Sequence, residues 1–302
     1  MKTFAFIENS HLLRRVKHEL LFPVHWLRWR SMPQAERDAK TRHASAVRQS
    51  PDFHLIPKHP DTGKLRGRRL VMHNGLRVLP TAYYGYQFLA RSRLCDTVDE
   101  PQEERLFLDV IRQLPPRSVM LELGSFWAFY SLWFHAVVPE AVNYMIEPEL
   151  RNLSYGRTNF EINGFSDRAD FTHAFIDSHS GMSNGVPVVC VDDFCVTKGI
   201  EHLAILHSDI QGFEHAMLLG AKRMLGEQRV DYVFISTHSN DLHLQCIEEL
   251  RHYGYRIVSD ANLDEAYQAD GVILACRPEL PRNAIAPITK RSAVDSGSRE
   301  NG

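Results

Sequence analysis

Between residues 98 and 277, short apolar runs alternate with longer amphipathic stretches. Val119-Met120-Leu121 predicts a first strand and Val142–Ile146 a second, with a helix over residues 128–138 between them. A helix over 101–113 precedes them, opened by Glu100-Pro101 with proline at the favoured first turn. Pro148–Asn163 predicts the next helix, closed by Gly164 as its C-cap. Phe171–Ile176, Val186–Val191, Leu203–His207 and Tyr232–Ser236 read as strands, and residues 212–225 and 241–253 as helices. Residues 255–259 and 271–276 form a closing strand pair with no helix between them, which predicts an antiparallel hairpin at a sheet edge. The alternation predicts an α/β fold: a doubly wound, mostly parallel sheet with an antiparallel last strand.

The first 80 residues pattern differently. Leu12, Leu13, Val16, Leu20, Leu21, Trp26, Leu27 and Trp29 form a helix-like stripe flanked by arginines, which Pro23 interrupts. Residues 31–70, with Pro33, Pro51, Pro57 and Pro60, read as loop. From Pro278 onward the chain has little to bury and reads as disordered. The predicted organisation is a basic N-terminal extension and docking segment over 1–96, the α/β domain over 97–277, and a tail over 278–302.

Charge reinforces that division. The formal net charge is −2, yet residues 1–80 hold 16 Lys/Arg against 6 Asp/Glu, and the rest holds 19 against 31. The overall balance therefore describes neither part. Composition is that of an ordinary globular chain, with 44% hydrophobic and 24% charged residues, which argues against global disorder. No apolar run approaches the ~20 residues of a spanning helix. Met1–Ser10 lacks the apolar stretch and cleavage site of a signal peptide. Five cysteines without C-x-x-C spacing argue against a disulfide framework or a cysteine-rich zinc site, and fit a reducing cytoplasm.

Three segments carry candidate chemistry. In Leu121-Glu122-Leu123-Gly124-Ser125-Phe126-Trp127-Ala128, an apolar strand ends in an acid, then glycine, then a turn into a helix. Such a turn brings backbone close to a ligand at the carboxyl end of the first strand. The dinucleotide pattern G-x-G-x-x-G is absent, so a pyrophosphate has a poor cradle. Glu147, directly after the second strand and before Pro148, lies 23 residues beyond Gly124, a spacing that suits a carboxylate accepting ribose hydroxyls. It reads equally as a helix N-cap. Leu203–His207 delivers Asp209 to the same sheet edge, followed by Ile210-Gln211-Gly212-Phe213-Glu214, where Glu214 also suits a first helical turn.

These segments, with Asp192-Asp193-Phe194 and Leu218-Leu219-Gly220-Ala221, resemble the FkbM-type family of S-adenosylmethionine-dependent methyltransferases over residues 97–276. Phe126 replaces that pattern's asparagine and Ala128 its glycine. The resemblance implies a Rossmann-like sheet with S-adenosylmethionine as cofactor. It implies that Glu122, Gly124, Ser125 and Phe126 line the methionine part and that Glu147 holds the ribose. Asp177 then reaches the adenine amino group, and Asp209 lies near the transferred methyl. It also implies O-methylation of sugars, glycoconjugates or secondary metabolites.

An alcohol acceptor needs its proton removed as its oxygen attacks. Asp209 and His238, just after the fifth strand, are the candidate catalytic residues. A metal held by His207, Asp209 and His238 is the weighed alternative, and the reading keeps no metal. Phe126 and Trp127 are candidates for stacking on cofactor or acceptor, and Tyr83, Tyr84 and Tyr86 for lining an acceptor cleft. The expected partner is a small hydroxylated acceptor, with carbohydrate as one class. Residues 12–30 read as a docking helix; Glu8, Glu19 and Pro23 weaken both alternatives, peripheral membrane contact and nucleic acid. A non-catalytic cofactor-binding module on the same fold is the second reading.

Overall fold

The computed structural model describes residues 11–82, 85–281 and 285–292. Four helices come first: α1 (His11–Ser31), α2 (Gln34–Thr41), α3 (His43–Gln49) and α4 (Pro51–Leu55). A small antiparallel sheet of β1 (Leu65–Arg66), β2 (Arg69–Val71) and β3 (Arg77–Val78) follows, then α5 (Tyr86–Leu94). The α/β region runs α6 (Pro101–Ile111), β4 (Val119–Leu123), α7 (Phe129–Val137), β5 (Val142–Ile146), α8 (Leu150–Asn163) and β6 (Ala169–Thr172). It continues with β7 (Phe175–Ile176), β8 (Gly181–Ser183), β9 (Val186–Val189), α9 (Val191–Lys198) and β10 (Leu203–Ser208). The last elements are α10 (Glu214–Leu219), α11 (Lys222–Gly226), β11 (Val230–Thr237), α12 (Asn240–His252), β12 (Arg256–Ala261) and β13 (Gly271–Cys276).

The main sheet has seven strands in the order β12-β13-β11-β10-β4-β5-β6. β6, β5, β4, β10 and β11 are mutually parallel, while β13 runs antiparallel to both of its neighbours. The expected antiparallel last strand is present. The hairpin lies at the sheet edge as expected: β13 inserts between β11 and β12 and leaves β12 outermost. Successive strand residues feed opposite cores. Met120, Met145, Ile205, Phe234 and Leu274 pack on one face, and Leu121, Ile146, Leu206, Val233 and Ile273 on the other. All six residues of β10 are buried, as its unbroken apolar run requires.

Several sequence expectations need correction. Phe171–Ile176 is two strands, β6 in the main sheet and β7 paired with β9 in a separate three-stranded sheet. Residues 212–225 form two short helices rather than one. Residues 31–70 are largely helical. Pro33 is the N-cap of α2 and Pro51 the first residue of α4, so two of the four prolines start helices instead of marking loop. Pro23 lies inside α1, which continues through it. A proline removes one backbone hydrogen bond, and the adjoining turns hold.

The chain after Pro278 also has structure. Ile285 and Ile288 are buried, Thr289 N–H donates to Asp52 Oδ2 at 2.9 Å, and Gln102 Nε2 donates to the Thr289 carbonyl at 2.8 Å. Asp52 also pairs with buried Arg105 at 3.0 Å, and Arg105 Nη1 donates to the Ala286 carbonyl. Residues 285–292 thus lock α4 to α6. α1 packs through Phe22 and Trp29 on Tyr86 of α5, with ring centroids 5.9 and 6.2 Å apart. Val16, Leu20, Val24 and Leu27 stay exposed on its other side.

Candidate active site

The carboxyl ends of β4, β5 and β10 meet around a cavity of about 560 Å³. Glu122, Gly124, Ser125, Phe126, Glu147, Asp177 and Asp209 all line it. His238 does not line it and stands behind Asp209.

The floor is the turn after β4. Gly124 has φ +71°, and a Cβ there would lie 1.8 Å from the Asp209 carbonyl oxygen, so only glycine lets the β4 and β10 loops cross this closely. Phe126 and Ala128 also adopt left-handed φ, +48° and +63°. Their departure from the glycine-rich pattern is one of side chain, since the backbone keeps the turn. Glu122 is buried and accepts from the Ser131 N–H at 3.2 Å, the first turn of α7. Burial pushes its carboxyl up to about 7.

Glu147 organises the second loop. Its Oε1 accepts from Glu149 N–H at 3.0 Å and Asn152 Nδ2 at 3.1 Å, and its Oε2 accepts from Phe126 N–H at 2.9 Å. A carboxylate has about four acceptor positions. Glu147 therefore keeps one for a ligand, where the spacing argument suggested a pair of ribose hydroxyls. The N-cap alternative is also partly realised, because two of its donors open α8. Asp177 Oδ1 accepts from Ser178 N–H at 2.6 Å.

The third loop is stapled by Glu214, fully buried. It accepts from Ile210 N–H at 3.2 Å, from Gly212 N–H at 3.1 Å and from His238 Nδ1 at 2.9 Å. His238 Nε2 lies 3.3 Å from Asp209 Oδ1 and 3.5 Å from Asp270 Oδ1. Burial pulls the imidazole pKa down, but the bonds to Asp209 and Glu214 and the Asp270 charge outweigh it and raise it to about 10. The raised value favours a proton on His238, which sits among three carboxylates.

A second histidine, on β10, is better placed. His207 lines the cavity, and its Nε2 lies 2.7 Å from Glu103 Oε1. Glu103, fully buried at the start of α6, also accepts from Ser236 Oγ at 2.6 Å. This fixes the imidazole with Nε2 as donor and leaves Nδ1 buried with no hydrogen-bond partner among the described residues. Burial lowers the His207 pKa, and the Glu103 bond and charge reverse that to a net rise. Tyr130 stacks on it at 4.3 Å and donates from its hydroxyl to Glu100 Oε2 at 2.6 Å. Glu100, Glu103 and Tyr130 escaped sequence reasoning. Acids in a first helical turn read as dipole partners, and Tyr130 as core.

The remaining candidates separate. Asp192 accepts from Arg223 and Met224 N–H and so caps α11, while Asp193 is exposed and takes the Ser180 hydroxyl at 2.6 Å. Phe126 and Trp127 both line the cavity, and Trp127 packs on Phe88. Tyr83 and Tyr84 lie outside the described residues; Tyr86 lines a second, neighbouring cavity. Among the described residues no group of three His, Cys, Asp or Glu side chains is set to hold a metal, and no helix is long and apolar enough to cross a membrane.

Residues 118–257, which carry β4 through the start of β12 and the three loops described above, match the model of the methyltransferase FkbM domain. Over this stretch, a little under half of its length, the chain is similar to the FkbM methyltransferase family. The coarse activity follows: a methyltransferase domain of the S-adenosylmethionine-dependent class. A comparison with curated proteins finds no significant match. Among solved structures the chain is similar to the METTL16 methyltransferase domain (13% identity, 78% of this chain and 91% of that one, TM-score 0.46). It is also similar to a precorrin-6y C5,15-methyltransferase from Geobacter metallireducens GS-15 (13%, 58% and 88%, 0.41). A third is M. capricolum TrmK in complex with S-adenosylhomocysteine (15%, 58% and 70%, 0.39).

The cavity fits the cofactor this family uses. Gly124 leaves the close backbone approach that a Cβ would fill, Glu147 retains one acceptor position, and the acidic lining suits a cationic sulfonium.

Proposed function

We propose that this protein transfers a methyl group from S-adenosylmethionine to a hydroxyl of a small acceptor, a sugar, glycoconjugate or secondary metabolite. When bound, the cofactor supplies a methyl already activated on sulfonium. Glu122, Gly124, Ser125 and Phe126 hold its amino-acid end, Glu147 its ribose and Asp177 its adenine. The protein's remaining tasks are to align the acceptor and to take its proton.

The observation that carries the hydroxyl reading is His207. Its ring is oriented by Glu103, itself fixed by Ser236; the residue lines the cavity, and its buried Nδ1 has no partner among the described residues. An oriented imidazole with one free nitrogen suits proton uptake from an alcohol. Asp209 borders the same wall, and its carboxylate also accepts from Gln211 Nε2 at 3.1 Å. In this reading His238 is a positioning residue that holds Asp209 and Glu214.

The test is turnover of S-adenosylmethionine by the full chain on a panel of hydroxylated acceptors. Formation of S-adenosylhomocysteine together with a methyl ether is the expected result. Methylated amines or carbons in place of ethers would sink the hydroxyl assignment. Calorimetric binding of S-adenosylhomocysteine with no turnover on any acceptor would favour a binding module instead.

A further inference from the structure

A second cavity of about 300 Å³ lies beside the first, between α1, α2 and the start of α8. Its charged lining is of one sign: Arg28, Lys40 and Arg151 contribute, His25 stands among them, and no carboxylate does. Trp29, Tyr86 and Tyr155 supply aromatic walls. Among the described residues neither Arg28 nor Arg151 has a carboxylate within ion-pair distance. Lys40 has only Glu36, at 3.8 Å on the exposed side of its helix. The His25 pKa is lowered by burial and then by the charges of Arg28 and Arg151, so the cationic field reaches across the cavity.

The two cavities share walls. Phe126 and Asn152 line both. The same two residues donate to Glu147, Phe126 from its backbone N–H at 2.9 Å and Asn152 from its side chain at 3.1 Å. A group seated in the second cavity is therefore one residue away from the proposed ribose acceptor. The lining of the first cavity is mainly acidic and that of the second wholly basic, an arrangement suited to a cationic cofactor in one and an anion in the other.

We propose that the second cavity is a subsite for the phosphate of a phosphorylated acceptor, whose hydroxyl-bearing part reaches the first cavity. Two guanidinium groups and an ammonium match a phosphate of about two negative charges better than a single carboxylate, because guanidinium forks bind phosphate oxygens in pairs. The aromatic walls provide flat surfaces for a sugar ring or a base beside that phosphate. This inference rests on the methyltransferase reading above and adds the acceptor's chemical class to it.

The experiment titrates the full chain calorimetrically, at constant ionic strength, with inorganic pyrophosphate, with glucuronate and with S-adenosylhomocysteine. Saturable pyrophosphate binding is expected, with glucuronate at least about tenfold weaker. Arg28→Glu combined with Arg151→Glu should abolish pyrophosphate binding and leave S-adenosylhomocysteine affinity within about twofold. The milder pair Arg28→Gln and Arg151→Gln, checked for an unchanged unfolding midpoint, guards against a folding artefact and should weaken pyrophosphate at least about tenfold. Pyrophosphate affinity unchanged in the Gln pair, or glucuronate bound as well as pyrophosphate, would overturn the proposal. Failure to bind S-adenosylhomocysteine would instead overturn the methyltransferase reading. In turnover, a phosphorylated acceptor should show a KM at least about tenfold below that of its dephosphorylated form, at similar kcat. Equal KM values would remove the acceptor role.

Discussion

Gly124 is the residue on which the cavity depends most directly. With a Cβ only 1.8 Å from the Asp209 carbonyl and φ at +71°, Gly124→Ala must displace one of two central loops. A loss of about 3 kcal/mol or more is expected in urea unfolding, above the usual range for point changes. Glu147→Ala should weaken S-adenosylhomocysteine by roughly 1–3 kcal/mol in calorimetry. Unchanged affinity would mean that its three protein donors are its whole role. His207→Asn should lower kcat by roughly 10²–10⁴ while leaving cofactor affinity intact. Because the His207 pKa is raised, the base form appears only on the alkaline side of an ordinary histidine. Wild-type kcat should rise with pH through that shifted value, and Glu103→Gln should move the inflection down. Most of the cavity residues were legible because acids and a glycine follow apolar runs at set spacings. His207 was weighed only as a metal ligand. Its partner Glu103 lies on a helix 104 residues away in sequence, and no local pattern connects the two.

At the scale of elements, the apolar rhythm located every strand of the main sheet, and Val142–Ile146 and the Gly164 cap fell where expected. Periodicity misled where proline was taken as a stop. Pro33 and Pro51 start helices because position one of a helix needs no N–H. The segment after Pro278 was illegible for a different reason. Its order comes from tertiary anchors, Asp52, Gln102 and Arg105, and not from its own composition. Asp52→Ala should therefore cost about 1–3 kcal/mol, since buried Arg105 loses one of its two carboxylates and the Thr289 N–H loses its acceptor. It should also raise amide exchange across residues 285–292, which hydrogen-exchange mass spectrometry would detect. Exchange confined to α4 would refute that linkage.

The whole molecule couples its buried ionisations to pH in both directions. Burial raises Glu122 to about 7, Glu104 to about 8 and Asp270 to about 6. Their contributions are complete below the ordinary carboxyl pKa and are lost as pH rises through these values. His238, raised to about 10, adds a contribution complete below the ordinary histidine value and lost at still higher pH. On the acid side, His73 is lowered by burial to about 3, and Asp260 to about 2 by its His243 bond, so both lose stability as pH falls. His73 and Glu104, 3.3 Å apart and each shifted toward its neutral form, are a neutral pair despite their ion-pair spacing. The unfolding midpoint should be highest at roughly pH 4–5 and lower at about pH 8.5. A midpoint that rises steadily to about pH 8.5 would contradict these assignments. The position of β13 bears on how this molecule comes into being. β11 is translated before the strand that pairs with its outer edge, and β12, which comes next, cannot take that place without leaving its own partner unmade. The nascent sheet therefore carries an open, apolar edge until Cys276 has emerged, the interval in which a chaperone has most to protect.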